Sequence, residues 1–211
     1  MTCEDMPWEC DDQGNWLDNQ HLHPNPVAGM YQTGYGYGDV HAIDRETGTV
    51  YVHPGIDVYG TENDEGEVII IAVASGRIYF LPYQERGFGN YAILMVPDGE
   101  GGFYGCLYAH MRDDNTYGLQ NGQVVGTGTP IGVIGTTGNS TGNHLHYEVR
   151  HDPGLLFTYW GFDSWTSDLQ GLSLYYPPST VLPLYWVDPG RFQYIYIPSQ
   201  PEVPCQGQGP C

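Results

Sequence analysis

The sequence contains no lysine. Its six basic residues are all arginine, they face twenty-five acidic ones, and the formal net charge is −19. A chain without lysine has no side-chain amine for Schiff-base chemistry. So few cations exclude a nucleic-acid binder, which displaces counterions with Lys/Arg patches. They also exclude adhesion to anionic membranes. The acidic excess reads as solubility in a demanding medium.

Long apolar runs are missing as well. The longest, Val68 to Ala74, is far too short to span a bilayer. The start, Met1-Thr2-Cys3-Glu4-Asp5, is acidic, and no export signal is visible in it. Cysteine is scarce, with five in all: Cys3 and Cys10 near one end, Cys205 and Cys211 near the other, and Cys106 alone between them. Pairing within each end leaves Cys106 over, and a Cys10–Cys205 cross-link is equally allowed. Disulfides at the periphery suit an oxidising compartment. An extracellular or periplasmic location is therefore expected, for a chain whose export signal has been removed. No Cys-x-x-Cys occurs, which argues against a zinc ribbon. Cys106, between Gly105 and Leu107 in a strand-like run, is expected to be a buried thiol.

No long segment carries a helical apolar period. What abounds is Gly (30), Tyr (18) and Pro (16), with 40% hydrophobic residues over 211 positions. That length fits one domain with appendages. The fold expected is mainly β: an antiparallel sheet folded on itself, with loop-rich termini. Residues 1–40 read as an irregular arm, 41–152 as the core, 153–197 as an aromatic-rich insertion and closing segment packed on it, and 198–211 as a tail. Strands are expected at Val50–His53, Val68–Ser75, Gly76–Leu81, Tyr91–Val96 and Tyr104–His110. Pro97-Asp98-Gly99-Glu100-Gly101-Gly102 is a hairpin turn signal between the last two. Gly126 to Gly135 reads as a strand pair punctuated by glycine, and Thr136 to Asn143 as a tight loop into a strand over His144–Arg150. A short helix is expected around Asp163–Leu169.

The chemistry concentrates in three segments. In Gly142-Asn143-His144-Leu145-His146-Tyr147-Glu148-Val149-Arg150, two histidines stand two residues apart in an alternating run. Positions i and i+2 of a strand share a face, so both imidazoles can address one cavity. His53-Pro54-Gly55-Ile56-Asp57 cannot be helical through Pro-Gly, but a strand bending at the glycine brings His53 and Asp57 together. Tyr108-Ala109-His110 supplies a further histidine. A catalytic zinc takes three ligands from His, Asp or Glu and leaves a fourth position for water, and these segments could supply them.

In type and order these motifs resemble the lysostaphin/LytM-type zinc metalloendopeptidases, bacterial cell-wall hydrolases. His53-Pro54-Gly55-Ile56-Asp57-Val58 resembles that family's first motif, and Ala74-Ser75-Gly76-Arg77-Ile78 the strand after it. Gly87-Phe88-Gly89-Asn90-Tyr91 resembles its turn, and Leu107-Tyr108-Ala109-His110-Met111 its Tyr-Ala-His segment. Gly122-Gln123-Val124-Val125 with Pro130-Ile131-Gly132-Val133-Ile134-Gly135 resembles the pair preceding the His-Leu-His-Tyr-Glu-Val-Arg strand. The likeness covers roughly residues 40–151.

The resemblance implies that 41–152 is a zinc metallopeptidase core with one zinc at the floor of a narrow groove. It implies His53, Asp57 and His146 as zinc ligands, and His110 and His144 as catalytic histidines outside the metal's coordination. The implied substrate is a peptide of peptidoglycan, cut by an endopeptidase acting as a monomer, with no nucleic acid and no membrane insertion. The alternatives are a non-catalytic module of the same fold that binds or regulates a cell-wall partner, or a peptidase for a non-wall glycine-rich peptide.

Glu148 is expected to point away from His146, so the outer partner of the ligand histidines has no name at this stage. His21-Leu22-His23 repeats the His-x-His spacing inside the arm. It reads as a Pro-flanked surface loop, and the sharper alternative is an inhibitory segment lying across the groove. His41 and His151 are expected at the surface. Thr61–Glu67 reads as a solvated acidic loop that would disfavour anionic substrates if it borders the groove. Asn139-Ser140-Thr141 reads as turn chemistry.

Overall fold

The computed structural model describes residues 10–15, 17, 19, 22–23, 25–100, 102–112, 116–152, 176–180 and 182–192. The expected helix at Asp163–Leu169, His21, the tail and three of the five cysteines lie outside these residues.

Within them the chain is mainly β. The strands are β1 (Tyr31–Thr33), β2 (Val40–Ile43), β3 (Val50–Val52), β4 (Ile56–Gly60), β5 (Ile69–Ile71), β6 (Gly76–Gln84), β7 (Gly89–Pro97), β8 (Phe103–Met111), β9 (Gln123–Val125), β10 (Pro130–Val133), β11 (Leu145–Asp152) and β12 (Trp186–Val187). Two single turns of helix, α1 (Leu182–Tyr185) and α2 (Pro189–Phe192), flank β12. The main sheet runs β1-β4-β11-β8-β7-β6-β9, and every pair in it is antiparallel. Along one edge of β11, β4 pairs with Leu145–Tyr147 and β12 with Val149–Arg150, so the two short strands lie end to end.

The sheet buries both faces by alternation. Odd positions of β11 (Leu145, Tyr147, Val149) join Cys106 and Tyr108 of β8 and Ala92 and Leu94 of β7 in the larger core. Over that core fold Ile70 of β5 and Ile131 of β10, whose strands form a separate antiparallel pair. Odd positions of β7 and β8 (Tyr91, Ile93, Met95, Leu107, Ala109) build a second core on the other face. The even positions of β11, including His146 and Glu148, look out on that second side.

The β7–β8 hairpin forms where the turn signal stands. Asp98 Oδ1 accepts from the Glu100 and Gly102 amides at 2.8 and 2.9 Å, and Gly99 takes a positive φ of 78°. Two expectations change. The Gly126–Gly135 stretch is not a strand pair: it holds one strand, β10, which joins β5, while β9, which joins β6, ends at Val125 before it. A tight turn, closed by the Thr129 amide on the Gly126 carbonyl at 3.1 Å, carries the chain from one sheet to the other. Part of the stretch read as irregular is also ordered, since β1 lies against β4 with Thr33 opposite Val58.

Candidate metal centre

Three elements deliver the first ring of side chains. β4 places Asp57 directly opposite His146 of β11. His53 comes from the bend before β4. Gly55 permits that bend, because a Cβ there would run into the Tyr147 carbonyl. His53 Nε2 and His146 Nδ1 stand 2.9 Å apart, His146 Nδ1 is 3.1 Å from Asp57 Oδ1, and His53 Nε2 is 3.3 Å from the same oxygen.

The second nitrogen of each ring shows what converges there. His53 Nδ1 meets the Gly36 carbonyl at 3.2 Å. A carbonyl only accepts, so Nδ1 carries the hydrogen and Nε2 presents a lone pair. His146 Nε2 meets the Glu148 carboxylate at 2.9 Å, which leaves Nδ1 as its lone-pair nitrogen. Two lone pairs and a carboxylate oxygen thus point at one spot, an arrangement that only a cation satisfies. Three ligands of a tetrahedral zinc with bonds of about 2.0–2.1 Å sit about 3.3 Å apart. The triangle and its N,N,O donor set fit that ion.

The electrostatics agree. Burial raises the Asp57 carboxyl, but its contacts with the His146 and His53 rings outweigh this and hold the group well below the carboxylate range. Burial opposes charge on His146, yet Asp57 and Glu148 push its pKa up to about 9. A proton and a metal ion compete for the same Nδ1 lone pair.

Glu148 is the main correction. Expected to point away from His146, it lies on the same face, because positions 146 and 148 are two apart on one strand. It is fully buried. One oxygen takes the His146 hydrogen, and the other accepts from Arg150 Nε (3.0 Å), a second Arg150 nitrogen (2.8 Å) and Trp186 Nε1 (2.8 Å). The i, i+2 rule could have found Glu148 and Arg150, but no sequence signal pointed to Trp186.

His110 and His144 stand beside this triangle, with ring centroids 4.8 Å apart. His110 Nδ1 donates to the Thr137 carbonyl at 2.8 Å, and His144 Nδ1 to the Gly142 carbonyl at 2.9 Å. Both therefore present Nε2 as the lone-pair nitrogen, and that of His144 lies 3.7 Å from Asp57 Oδ1. Burial, and next the charge at His146, push His110 down to about 4. Its backbone is left-handed (φ 61°), a conformation that costs energy in a non-glycine residue and clusters at functional sites.

Asp57 (17% exposed) and His144 (12%) are the open members of the set, while His53 and His146 keep 2–3%. A cleft of about 510 Å³ is lined by Tyr59, Glu62, Glu67, Arg112, Thr136 and Asn143 among others; it reaches Asn143, the neighbour of His144, but none of the five site residues lines it. The acidic loop therefore borders it, with Glu67 ion-paired to Arg112 at 2.6 Å.

The other described histidines, His23, His41 and His151, are engaged elsewhere. The His23 ring is tied to Asn25, and its amide donates to the Val73 carbonyl. His41 is exposed and stacks on Tyr176 at 3.5 Å. His151 stacks on Tyr104 and meets Asp98 Oδ2 at 3.1 Å. Ser140 makes turn bonds to Gly142 and Thr136. Cys106 is a buried thiol pushed up to about 12 by burial.

A cation-fitting His/Asp/His triangle on an antiparallel sheet, with two further imidazoles beside it, is an arrangement that suits a metallopeptidase domain. The model for peptidase family M23 matches residues 51–156, half of the chain, and the chain belongs to that family. Lysostaphin of Staphylococcus simulans is 30% identical over 131 residues, which make up 61% of this chain and 23% of lysostaphin. An uncharacterized metalloprotease of Haemophilus influenzae is 34% identical over 104 residues, or 49% of this chain and 20% of that protein. The crystallised catalytic domain of lysostaphin aligns at 30% identity with a TM-score of 0.44, over 57% of this chain and 80% of that one. The chain spans only a fifth to a quarter of the length of these curated relatives.

Proposed function

We propose that this protein is a zinc-dependent endopeptidase that hydrolyses peptide cross-links of bacterial peptidoglycan outside the cytoplasm. The observation that carries the proposal is the convergence of His53 Nε2, His146 Nδ1 and Asp57 Oδ1 within hydrogen-bond distance of one another, with the outer nitrogen of each ring bonded to an oxygen acceptor. These three residues would hold the ion. Bound zinc supplies a Lewis acid that polarises a peptide carbonyl and brings the pKa of a water toward ~7.

The chain's own groups do the rest. His110 is neutral at physiological pH, since burial pushes it down to about 4. With Nδ1 committed to the Thr137 carbonyl, its Nε2 can take the proton of an attacking water. His144 is aimed in the same sense by the Gly142 carbonyl. Once protonated, either ring presents an N–H donor to the oxyanion of the tetrahedral species, and can later return the proton to the leaving amine. Neither needs to be charged at rest. A peptide would reach these groups from the cleft that ends at Tyr59 and Asn143.

The charge of −19 and the acidic Glu62 and Glu67 at the cleft favour one alternative, a non-wall glycine-rich peptide. Anionic wall polymers would be repelled at low salt.

The test has two parts. Purified protein should contain about one zinc per chain, and it should release fragments from defined peptidoglycans whose mass identifies the bond cut. His144→Ala should keep the zinc and lose turnover; intact wall lysis by that variant would overturn the mechanism. Zinc binding without fragments from any wall type would transfer support to the other substrate, or to a non-catalytic module.

A further inference from the structure

Resting on that reading, we infer that Trp186 is a positioning residue for the metal ligand His146 and acts through the Glu148 carboxylate. The family match ends at residue 156, so this support comes from a part of the chain beyond the recognised domain.

Glu148 is fully buried, and its two oxygens have separate duties. Oε1 takes the hydrogen of His146 Nε2, while Oε2 accepts from Trp186 Nε1 and from Arg150. A carboxylate turns about the bond to its side chain. Donors arriving at Oε2 from two residues fix that rotation and so aim Oε1 at the imidazole. The aim of Oε1 decides which nitrogen of His146 is protonated and where Nδ1 points.

Trp186 suits the task in three ways. The residue is 4% exposed, and its indole offers a single rigid donor. β12 pairs it with Arg150 of β11, which brings it alongside Glu148. Its ring also lies under the Arg150 guanidinium, 4.8 Å from the centroid, and so steadies the second donor. The indole is anchored in turn: the Trp186 carbonyl accepts from Tyr37 at 3.1 Å, and the ring packs with Val52 and Leu182.

Trp186→Phe in the full chain tests this, because it keeps the buried ring and removes the N–H. The readouts are the zinc Kd by chelator competition, the visible spectrum of the cobalt-substituted protein, and the melting temperature of the metal-free protein. Trp186→Phe should weaken zinc binding about tenfold, at the low end of the effect of outer partners on metal sites, and shift the cobalt bands. The same change in a Glu148→Gln background should add little, because the route through the carboxylate is already broken.

A parental Kd and spectrum in Trp186→Phe would overturn the inference. So would a tenfold loss that persists undiminished in the Glu148→Gln background, since it would trace to packing alone. If the Phe variant fails to fold, benzothienylalanine at position 186 keeps the indole's shape without its donor and is judged by the same readouts. A parent chain that binds no zinc would instead sink the proposed function.

Discussion

Stripped of metal, this protein should lose stability as the pH rises above neutrality, the reverse of ordinary acid denaturation. In the metal-free fold, the positive charge between Asp57 and Glu148 is a proton on His146. That ring titrates near 6.5 in an unfolded chain and at about 9 in the fold. A folded pKa above the unfolded one stabilises the protein fully below the unfolded value and ceases to do so as the pH passes the folded value. At about 1.4 kcal/mol per pKa unit, His146 contributes roughly 3 kcal/mol below pH 6.5 and almost nothing above pH ~9. His110 acts in the opposite sense. Pushed down to about 4, it stays neutral in the fold while the unfolded chain gains a proton, so stability falls as the pH drops from 6.5 toward 4. The Asp57 and Glu148 carboxyls are both held below their usual range, and their titration falls on the acid side of this window. The metal-free protein should therefore be most stable near pH 6.5. Denaturant melts of EDTA-treated protein from pH 5 to 9.5, followed by tryptophan fluorescence, read this directly. A stability that stays flat from pH 6.5 to 9 would refute the charge assigned to His146.

Zinc should abolish that alkaline slope. Its apparent affinity should rise about tenfold per pH unit from 7 to about 9, as the competing proton leaves His146; a Kd independent of pH over that range, measured by chelator competition, would contradict the competition. Deleting residues 1–38 should weaken zinc binding and lower turnover. The deletion removes the Gly36 carbonyl that orients His53, the Gly38 amide bonded to the His53 carbonyl, and the Gly34 and Tyr35 backbone bonds to Asp57. A rise in activity on deletion would instead support an inhibitory arm.

The sheet was largely legible because its code is local. β7 and β8 are apolar runs separated by an Asp-Gly turn, and their alternation assigns Cys106 and Tyr108 to one core and Leu107 to the other. The partner of each short strand was not legible. Pro130–Val133 looks much the same whether it pairs with β9 or with β5. What decides is the tight turn at Gly126–Thr129 and the apolar side chains of β5 waiting across the larger core, and the second of these is a long-range contact that no local pattern encodes.

The site divides along a similar line. The five candidate site residues (His53, Asp57, His110, His144 and His146) carry distinctive side chains at distinctive spacings, and they lie near one another in the structure. What aims them is mostly anonymous. His53, His110 and His144 are each oriented by a backbone carbonyl, from Gly36, Thr137 and Gly142. Every non-terminal residue has such a carbonyl, so composition cannot single one out. His146 is the exception: its anchor is a side chain, Glu148, legible from its i+2 position, yet Glu148 is itself steadied by Trp186 from far along the chain. The aiming groups also extend past the matched domain, with Gly36 before residue 51 and Trp186 after residue 156. A fragment cut to residues 51–156 would keep all five motif residues while losing the Gly36 bond to His53 and the Trp186 bond to Glu148. The motif therefore identifies the chemistry, while the flanking segments set the precision with which it is held.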